Sequence, residues 1–235
     1  MARIPERIAP GVYRVDAVKI PYVVSDLLIR DSDGWALVDA GGSGLRIQQA
    51  LAALGAAPNE LKRIYLTHHH GEHVSGLPAI LWWASDVELM TSEHEAQVLS
   101  GERDPDPLSD PLSSFIAARG LPTVPAERIR TVSEGDNFAG FRVINTPGHT
   151  RGHTSLLSKQ HGLLFTADAY GRMPEIQVGV RKSICTDPIE ARSSAEKLLK
   201  EKFTTVVFGH GKPLRGEDAK WRLREVVERY RGTRS

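Results

Sequence analysis

The segment THHHGEH, residues 67–73, contains four of the nine histidines of this chain. It follows the apolar segment LKRIYLT, residues 61–67, which predicts a β-strand that leads directly into the histidines. If the chain stays extended as far as residue 70, His68 and His70 point to the same side and can bind one ion. The segment therefore predicts either a metal site or a polar loop that is rich in histidine.

The residues that follow His70 can bring further side chains towards the same position. Gly71 permits a sharp bend, so that the adjacent Glu72 and His73 can both turn towards a neighbouring position. A helix predicted to begin near Val74 would hold that bend. Short histidine tracts are weak signals by themselves, so the choice between a metal site and a loop depends on residues elsewhere in the chain.

Three further ligand-type residues occur where predicted strands end. His149 lies in NTPGHTRGH after a strand, Asp168 ends the strand LLFTAD, and His210 ends the strand TTVVFGH. Loops that a rigid scaffold carries to one rim are where sites are built. With the four side chains of residues 67–73 that can converge, they provide seven nitrogen and oxygen ligands, enough for two first-row ions with a bridging carboxylate.

The distribution of predicted elements indicates the fold class. Residues 11–40 and the chain from residue 128 onward are rich in β-branched and aromatic residues. Helical spacing is found in four segments, residues 44–55, 92–100, 188–202 and 217–231. Two β-rich blocks, each followed by helices, predict an α/β (α+β) protein built as a four-layer αββα sandwich, with two mixed β-sheets flanked by helices.

The chain is expected to form one domain over residues 1–235, because this length commonly supports a single core. Ser92 and Glu95 have the spacing of a capping box at the start of a helix. Prolines are frequent at 101–127, and we predict a helical insertion or lid at about 92–127. We expect its 101–127 segment to cover the metals and to set substrate choice.

Composition excludes several classes of function. The formal net charge of +1 gives no electrostatic reason to expect nucleic acid as a partner. No apolar run approaches the ~20 residues that span a bilayer, and the first residues lack the apolar core of a signal peptide, so we expect a cytoplasmic protein without a membrane partner. A single cysteine, Cys185, excludes an internal disulfide. The expected partner is a small-molecule substrate, and homo-oligomer formation stays open.

Four motifs resemble, in order and spacing, those of the metallo-β-lactamase superfamily. They are THHHGEHVSG at 67–76, TPGHT at 146–150, FTADAY at 165–170 and VVFGHG at 206–211. ALVDAGG at 36–42 also resembles an early strand end of that family. The resemblance extends over roughly residues 10–215 and implies the αββα sandwich with metal ions at one edge.

The resemblance implies ligands for two divalent ions, with zinc expected and iron or manganese as alternatives. The implied ligands are His68, His70 and His149 for the first ion, Glu72, His73 and His210 for the second, and Asp168 between them. Asp39 is expected to orient ligands, since metal-bound imidazoles need a partner on the other nitrogen. His153 is expected beside the ligands, and His69 is expected to point away from them.

Glu72 departs from the family pattern, which has aspartate at this position. The extra methylene moves the carboxylate by about 1.5 Å, whereas metal–oxygen distances tolerate an error of only about 0.2 Å. Three outcomes stay open. Glu72 binds a shifted second ion, it swings out and leaves a single-ion site, or it acts as a general base or acid beside a bridging water.

The implied activity is hydrolysis of small-molecule ester, thioester or lactone bonds by a metal-bound hydroxide. Asp168 or Glu72 would carry a proton to the leaving group. Tyr170 could donate a hydrogen bond to a developing oxyanion, with packing at the rim as the alternative. Two other functions stay open: an iron-dependent oxidoreductase resembling persulfide dioxygenases, and a non-catalytic binding protein with a degenerate site.

Overall fold

The computed structural model describes residues 4–108, 110 and 121–232. Within them, the first sheet has seven strands that lie side by side in chain order. They are β1 (Glu6–Ala9), β2 (Val12–Asp16), β3 (Ser25–Asp31), β4 (Gly34–Val38), β5 (Leu61–Tyr65), β6 (Glu88–Ser92) and β7 (Ile129–Val132). Strands β1 to β4 pair antiparallel and β4 to β7 pair parallel, so this sheet is mixed, as predicted.

The remaining described strands form a second large sheet and a small one. They are β8 (Asn137–Phe138), β9 (Phe141–Asn145), β10 (Thr154–Ser158), β11 (Leu163–Ala167), β12 (Tyr170–Arg172), β13 (Ile176–Val178), β14 (Thr205–Phe208) and β15 (Leu214–Arg215). The second large sheet has the order β15-β14-β11-β10-β9-β8, and β12 and β13 form a separate two-stranded sheet. Only β11 and β14 run parallel in this sheet, which is therefore also mixed.

Helices cover the outer faces of the two large sheets. The described α-helices are α1 (Gly44–Ala53), α2 (Gly71–Val74), α3 (Leu77–Trp83), α4 (Glu93–Ser100), α5 (Pro188–Leu198) and α6 (Ala219–Gly232). Short 3-10 turns lie at Pro58–Glu60, Ala126–Arg128 and Lys182–Ile184. Among the described residues, no helix is both long enough and apolar enough to cross a membrane.

Three apolar clusters fill the spaces between the layers. One packs α1, α3 and α4 on the first sheet, around side chains such as Ile47 and Leu77. The second packs α5 and α6 on the second sheet, around Leu198 and Leu223. The third lies between the sheets and includes Phe165. Apolar burial on both faces of each sheet is the main driving force for this arrangement, and it confirms the predicted αββα sandwich.

Parallel strand pairs bring the candidate ligands to one edge. Asp39 follows β4 and residues 67–73 follow β5, which is its parallel neighbour. Asp168 follows β11 and His210 follows β14, which are parallel neighbours in the second sheet. Because the carboxyl ends of parallel strands meet at the same edge, loops that are distant in sequence converge there.

The predicted lid is only partly described. The helix predicted at 92–100 is present as α4. Residue 109 and residues 111–120, which include most of the apolar part of the predicted lid, lie outside the described residues. The covering role of that segment therefore stays a prediction.

Candidate metal centre

The seven predicted ligands lie together in two groups at this edge. One group contains His68, His70 and His149, and the other contains Glu72, His73, Asp168 and His210. Within each group the ligand atoms lie within 4.8 Å of one another. In the first group, His70 Nδ1 is 2.9 Å from His149 Nε2. The convergence agrees with the two-ion arrangement rather than with a polar loop.

Asp168 lies between the two groups. Its Oδ2 atom is 3.1 Å from His210 Nε2 and 3.6 Å from His73 Nε2, both in the second group. The same atom is 3.3 Å from His149 Nε2 and 3.8 Å from His68 Nε2, both in the first group. One carboxylate oxygen therefore faces both groups, which is the position expected of a bridge between two ions.

Glu72 lies where the centre meets solvent. Residues 71–74 form the short helix α2, and the N–H of His73 donates to the carbonyl of His70 at 2.8 Å. This turn brings Glu72 Oε1 to 3.9 Å from His210 Nε2, while 40% of the Glu72 side chain stays exposed. Glu72 therefore faces the second group from the solvent side, and the buried members of that group are His73, Asp168 and His210.

Four of the candidate imidazoles share one arrangement, in which Nδ1 contacts an oxygen and Nε2 points to the centre. The contacts are His68 with Thr67 Oγ1 at 3.0 Å, His73 with Asp39 Oδ2 at 2.9 Å, His149 with the Gly179 carbonyl at 3.2 Å, and His210 with the Val23 carbonyl. Assigning the proton to Nδ1 in each ring lets that nitrogen donate to the oxygen. The Nε2 lone pair of each ring is then directed at a potential ion.

Asp39 holds two of these ligands in place. Its Oδ1 atom accepts from the N–H and the hydroxyl of Thr67 at 2.8 and 2.9 Å, and its Oδ2 atom accepts from His73. The Asp39 backbone has φ 61°, which is uncommon outside glycine and is found most often at functional sites. The structure therefore places Asp39 in the orienting position that the sequence analysis assigned to it.

The residues present fit divalent ions. His68 Nε2, His70 Nε2 and both carboxylate oxygens of Asp168 are buried and have no hydrogen-bond partner among the described residues. Buried polar atoms without partners are costly, so these atoms are suited to bind a cation. Neutral imidazoles around a carboxylate are the donor set of zinc and of non-haem iron sites. Cations between the two groups would satisfy these atoms together.

The pKa values of the histidines differ between the two groups. Burial lowers the pKa of His68 and of His149 well below 6.5, and it lowers the pKa of His70 to about 4. Burial acts in the same direction on His73 and His210, but the Asp168 carboxylate outweighs it and raises the pKa of both rings. In the metal-free protein the second-group rings His73 and His210 therefore retain protons to higher pH than the rings of the first group.

We expect the second ion to bind with release of protons at neutral pH and the first to bind with almost none. Protons on His73 and His210 must leave before these rings can bind metal, whereas His68 and His149 are already neutral. Raising the pH from about 6 to about 8 should strengthen the second binding step and leave the first nearly unchanged. Calorimetric titration of zinc in two buffers of different ionisation enthalpy measures the protons released in each step.

The variant His210→Ala identifies the second step, because it removes a ligand of that group alone. Equal proton release in both steps would contradict the assignment of charged rings to the second group.

A buried ion pair lies beneath the first group. His69 points away from the candidate ions, as predicted, and its Nδ1 atom is 2.5 Å from Glu95 Oε2. The other oxygen of Glu95 accepts from the hydroxyl of Thr150 at 2.6 Å. His69 lies between the ligands His68 and His70, and Thr150 directly follows the ligand His149. The Glu95 carboxylate therefore ties together the two loops that supply the first group.

The predicted capping box at Ser92 and Glu95 is wrong. The Ser92 side chain makes no capping hydrogen bond to α4 and instead donates to the Gly152 carbonyl at 2.7 Å. A Cβ atom on Gly152 would lie 2.7 Å from Glu95 Oε1, so the backbone packs directly on this carboxylate. Both side chains bind residues outside α4 instead of capping the helix. We refer to the cluster of Ser92, Glu95, His69 and Thr150 as the clamp.

His153 positions the bridging carboxylate. Its Nδ1 atom is 2.8 Å from Thr146 Oγ1, and its Nε2 atom accepts from the backbone N–H of Asp168 at 3.1 Å. Burial lowers the pKa of His153, which keeps the ring neutral and able to accept. The expectation that His153 lies beside the ligands agrees with this geometry.

The predicted role of Tyr170 as an oxyanion donor is wrong. Tyr170 is fully buried in the cluster beneath α5 and α6, and its hydroxyl donates to the Ala195 carbonyl at 2.9 Å. Alternation along β12 directs this side chain into the core rather than to the metal edge. Packing, the alternative considered for Tyr170, agrees with the structure.

Gly209→Ala is expected to disrupt the second group. A Cβ atom at this position would lie 2.2 Å from Asp168 Oδ1 and 2.9 Å from His73 Cε1, so the carboxylate has to move. Displacing a group that orients a metal site typically costs 10- to 100-fold in metal affinity, and we expect a loss of about that size for the second ion. Competition with a chromophoric zinc chelator measures it.

Gly71→Ala is the matched control, because a Cβ built on Gly71 meets no described atom within 4 Å apart from its chain neighbours and its own helix, although Gly71 borders the same centre. Equal affinities for Gly209→Ala and the wild type would show that the contact at Gly209 does not position Asp168.

Sequence reasoning missed Asp26, Glu95 and Thr67. Asp26 is fully buried behind Asp39, and its Oδ1 atom accepts from the Gly41 N–H at 3.2 Å. Burial and the nearby charge of Asp39 raise the pKa of Asp26 to about 8. A charged residue inside the apolar pattern of β3 was the available signal, since buried carboxylates need a specific reason.

Comparison with protein families gives a match over most of the chain. The model of the metallo-beta-lactamase superfamily matches residues 20–210. The probable metallo-hydrolase YflN of Bacillus subtilis is 27% identical over an alignment of 245 positions, which covers 94% of this chain and 91% of that protein. The hydroxyacylglutathione hydrolase of Aeromonas salmonicida is 30% identical over 145 residues, which cover 60% of this chain and 44% of that enzyme.

Solved structures share the fold over nearly the whole length. One is the first B3 metallo-beta-lactamase with an active-site glutamic acid, with a TM-score of 0.71 and 18% identity. That alignment covers 98% of this chain and 92% of the other. The likeness supports the αββα architecture described above.

Proposed function

Because the chain belongs to the metallo-beta-lactamase superfamily, we propose that it is a metal-dependent hydrolase of ester, thioester or lactone bonds in small molecules. The observation that carries the proposal is the position of Asp168 Oδ2, which faces imidazole nitrogens of both groups at 3.1 to 3.8 Å. Such an arrangement suits two ions around one reacting water. The relative named a probable metallo-hydrolase supports the reaction class.

The relative named hydroxyacylglutathione hydrolase supports an acyl bond as the target. The alignment covers less than half of that enzyme, so the likeness concerns only part of it. Thioesters are therefore included in the proposal together with esters and lactones, which have the same electrophilic carbonyl carbon.

Each residue of the centre has a defined task in this proposal. The first group would hold one ion and the second group the other, with Asp168 between them. When bound, such ions would polarise a carbonyl oxygen and lower the pKa of a water to about 7. Asp39, Thr67 and the backbone carbonyls at Val23 and Gly179 keep the imidazole rings oriented.

Glu72 is proposed as a ligand of the second ion. Its carboxylate lies on the solvent side, 3.9 Å from His210 Nε2, so rotation of its side chain reaches the second group without change in the backbone. The known lactamase with an active-site glutamic acid supports the compatibility of this fold with a glutamate. From the same position Glu72 can pass a proton to the departing alcohol or thiol.

Elemental analysis of the purified protein, followed by a screen of ester, thioester, lactone, β-lactam and phosphodiester substrates, tests the function. We expect close to two ions per chain and hydrolysis of at least one acyl substrate. Glu72→Gln should lose the second ion, whereas Glu72→Asp should retain it. Bound iron together with oxygen uptake on glutathione persulfide would instead establish the oxidoreductase alternative.

A further inference from the structure

A groove of about 600 Å³ borders the candidate metal centre on the side of His210, and we call it the basic groove. Three of its lining residues are tied to His210 or directly follow it. The Nδ1–H of His210 donates to the Val23 carbonyl, the N–H of Arg172 donates to the His210 carbonyl at 2.7 Å, and Gly211 directly follows His210. The groove therefore begins at the second group of ligands.

The far wall of the basic groove is connected to the first group. Arg181 lines this wall, and its N–H donates to the Gly179 carbonyl at 2.7 Å. The same carbonyl accepts from His149 Nδ1 at 3.2 Å. A molecule in the groove therefore lies against segments that position ligands of both ions.

The groove is positively charged. Arg172, Arg181 and Lys212 line it, and no carboxylate does so among the described residues. The Arg172 side chain is held in place by hydrogen bonds to the carbonyls of Lys212 and Pro213 at 3.2 and 3.1 Å. Arg181 and Lys212 are exposed, and the described part of the chain pairs neither with a carboxylate. Cations in a concave surface raise the local concentration of anions.

One wall is aromatic and fixed in position. Tyr22 has φ 64°, and its N–H donates to Asp16 Oδ1 at 2.9 Å. The buried Arg14 lies 4.2 Å from the Tyr22 ring and pairs with the same Asp16 oxygen at 2.7 Å. An uncommon backbone conformation held by a buried ion pair is typical of functional positions. The ring is therefore a preorganised contact surface rather than a mobile side chain.

We propose that the basic groove selects substrates in which a carboxylate or phosphate group lies a short distance from the hydrolysed bond, next to an apolar body. Lys212 and Arg181 bind the anionic group, and Tyr22 with Met173 and Pro174 contacts the apolar body. This inference rests on the proposed hydrolase function and names its substrate class. In the reaction the acyl carbon–heteroatom bond breaks, the water oxygen bonds to that carbon, and a water proton goes to the leaving group.

Three matched thioesters test the selection. The phenylacetyl thioesters of mercaptoacetate, mercaptoacetamide and mercaptoethyl phosphate share one acyl group and differ in the charge of the leaving group. We expect kcat/KM for the better anionic thioester to exceed that of the neutral amide by about 30-fold, mainly through KM, because two exposed cations contribute about fivefold each. Comparing kcat/KM for the mercaptoacetate and mercaptoethyl phosphate thioesters shows whether a carboxylate or a phosphate is preferred.

The double variant Lys212→Met/Arg181→Met should reduce this ratio to about threefold or less. Lys159→Met is the matched control, since Lys159 is exposed in the turn between β10 and β11, at the opposite end of β11 from Asp168. Raising the ionic strength should lower the ratio in the wild type, because salt screens exposed charges. Equal kcat/KM for the anionic and neutral thioesters in the wild type would overturn the proposal.

The proposed anion binding in the basic groove can be tested separately from the proposed hydrolase activity. If no acyl substrate is hydrolysed, the proposed function is wrong, and calorimetric binding of phenylacetylglycine and phenyl phosphate to the metal-loaded protein still tests the groove. Tighter binding of either anion to the wild type than to the double variant would support the groove. Equal binding to both proteins would overturn it.

Discussion

Asp168→Asn is expected to lower the affinity for the second ion by about a thousandfold and to abolish hydrolysis. The exchange preserves the shape of the side chain but removes the negative charge that lies 3.1 Å from His210 Nε2 and 3.3 Å from His149 Nε2. Loss of one partner from a buried charged arrangement costs about 4 kcal/mol, which is close to three factors of ten. Zinc competition and kcat/KM on the best acyl substrate measure the two effects.

The same variant should also change proton release. The raised pKa of His73 and of His210 depends on the Asp168 carboxylate, because burial alone would lower the pKa of both rings. Without that charge, burial lowers the pKa of both rings, so they retain fewer protons in the metal-free protein. The protons released in the second binding step should therefore disappear, an effect that a mere packing defect would not produce.

Asp26→Asn is the matched control for this experiment. Burial and the charge of Asp39 raise the pKa of Asp26 to about 8, so its carboxyl is mostly protonated at neutral pH and resembles an amide. We expect a change of about threefold or less in metal affinity, since the charge of the centre is preserved. Similar losses in Asp26→Asn and Asp168→Asn would contradict the bridging position of Asp168.

Glu95→Gln is expected to destabilise the protein by about 3 kcal/mol and to weaken binding of the first ion by about 10- to 100-fold. The change leaves the buried His69 ring without its charged partner at 2.5 Å and weakens the contact with Thr150 at 2.6 Å. These contacts join the loops that carry His70 and His149. Thermal unfolding and zinc competition should therefore both respond.

Glu93→Gln is the matched control, because Glu93 lies in the same first turn of α4 but is exposed. It makes the same change of charge outside the clamp, and we expect neither stability nor metal affinity to fall appreciably. Adding His69→Gln to Glu95→Gln removes the unpaired ring and should recover part of the lost stability. If Glu93→Gln and Glu95→Gln behaved alike, the clamp would have no special role.

The contribution of this ion pair should be confined to a pH window. Burial opposes the charged form of Glu95, but the interaction with His69 outweighs burial and lowers the pKa of Glu95 to about 2. The stabilisation from Glu95 is therefore present above pH 4.5 and is lost as the pH falls towards 2. Burial also opposes the charged form of His69, but Glu95 raises its pKa above 6.5. The stabilisation from His69 is complete below 6.5 and is lost as the pH rises through the raised pKa.

Thermal unfolding of the metal-free protein at several pH values measures this window. The difference between wild type and Glu95→Gln should be largest between about pH 4.5 and 6.5, where both charges of the pair persist in the folded state and are present in the unfolded chain. A difference that did not vary with pH would contradict the ion pair.

At three positions, tertiary contacts differ from those that local spacing predicts. Ser92 and Glu95 have the spacing of a capping box, yet Ser92 donates to the Gly152 carbonyl and Glu95 pairs with His69. Tyr170 lies two residues after Asp168, yet its hydroxyl donates to the Ala195 carbonyl inside the core. Local spacing shows which contacts a side chain can make. The contact that forms is the one whose loss would leave a buried polar partner unpaired at the greater cost in free energy.

The sequence alone determined the fold class and the candidate ligands. Three local properties can be recognised from the sequence alone: strand periodicity, the bend permitted at Gly71 and the ligand-type residues at strand ends. The tertiary structure decided which partners orient those ligands, such as Asp39 for His73 and Glu95 beneath His70, and it placed Glu72 at the solvent edge. These contacts join residues that are distant in the chain, so their geometry exists only once both sheets have packed.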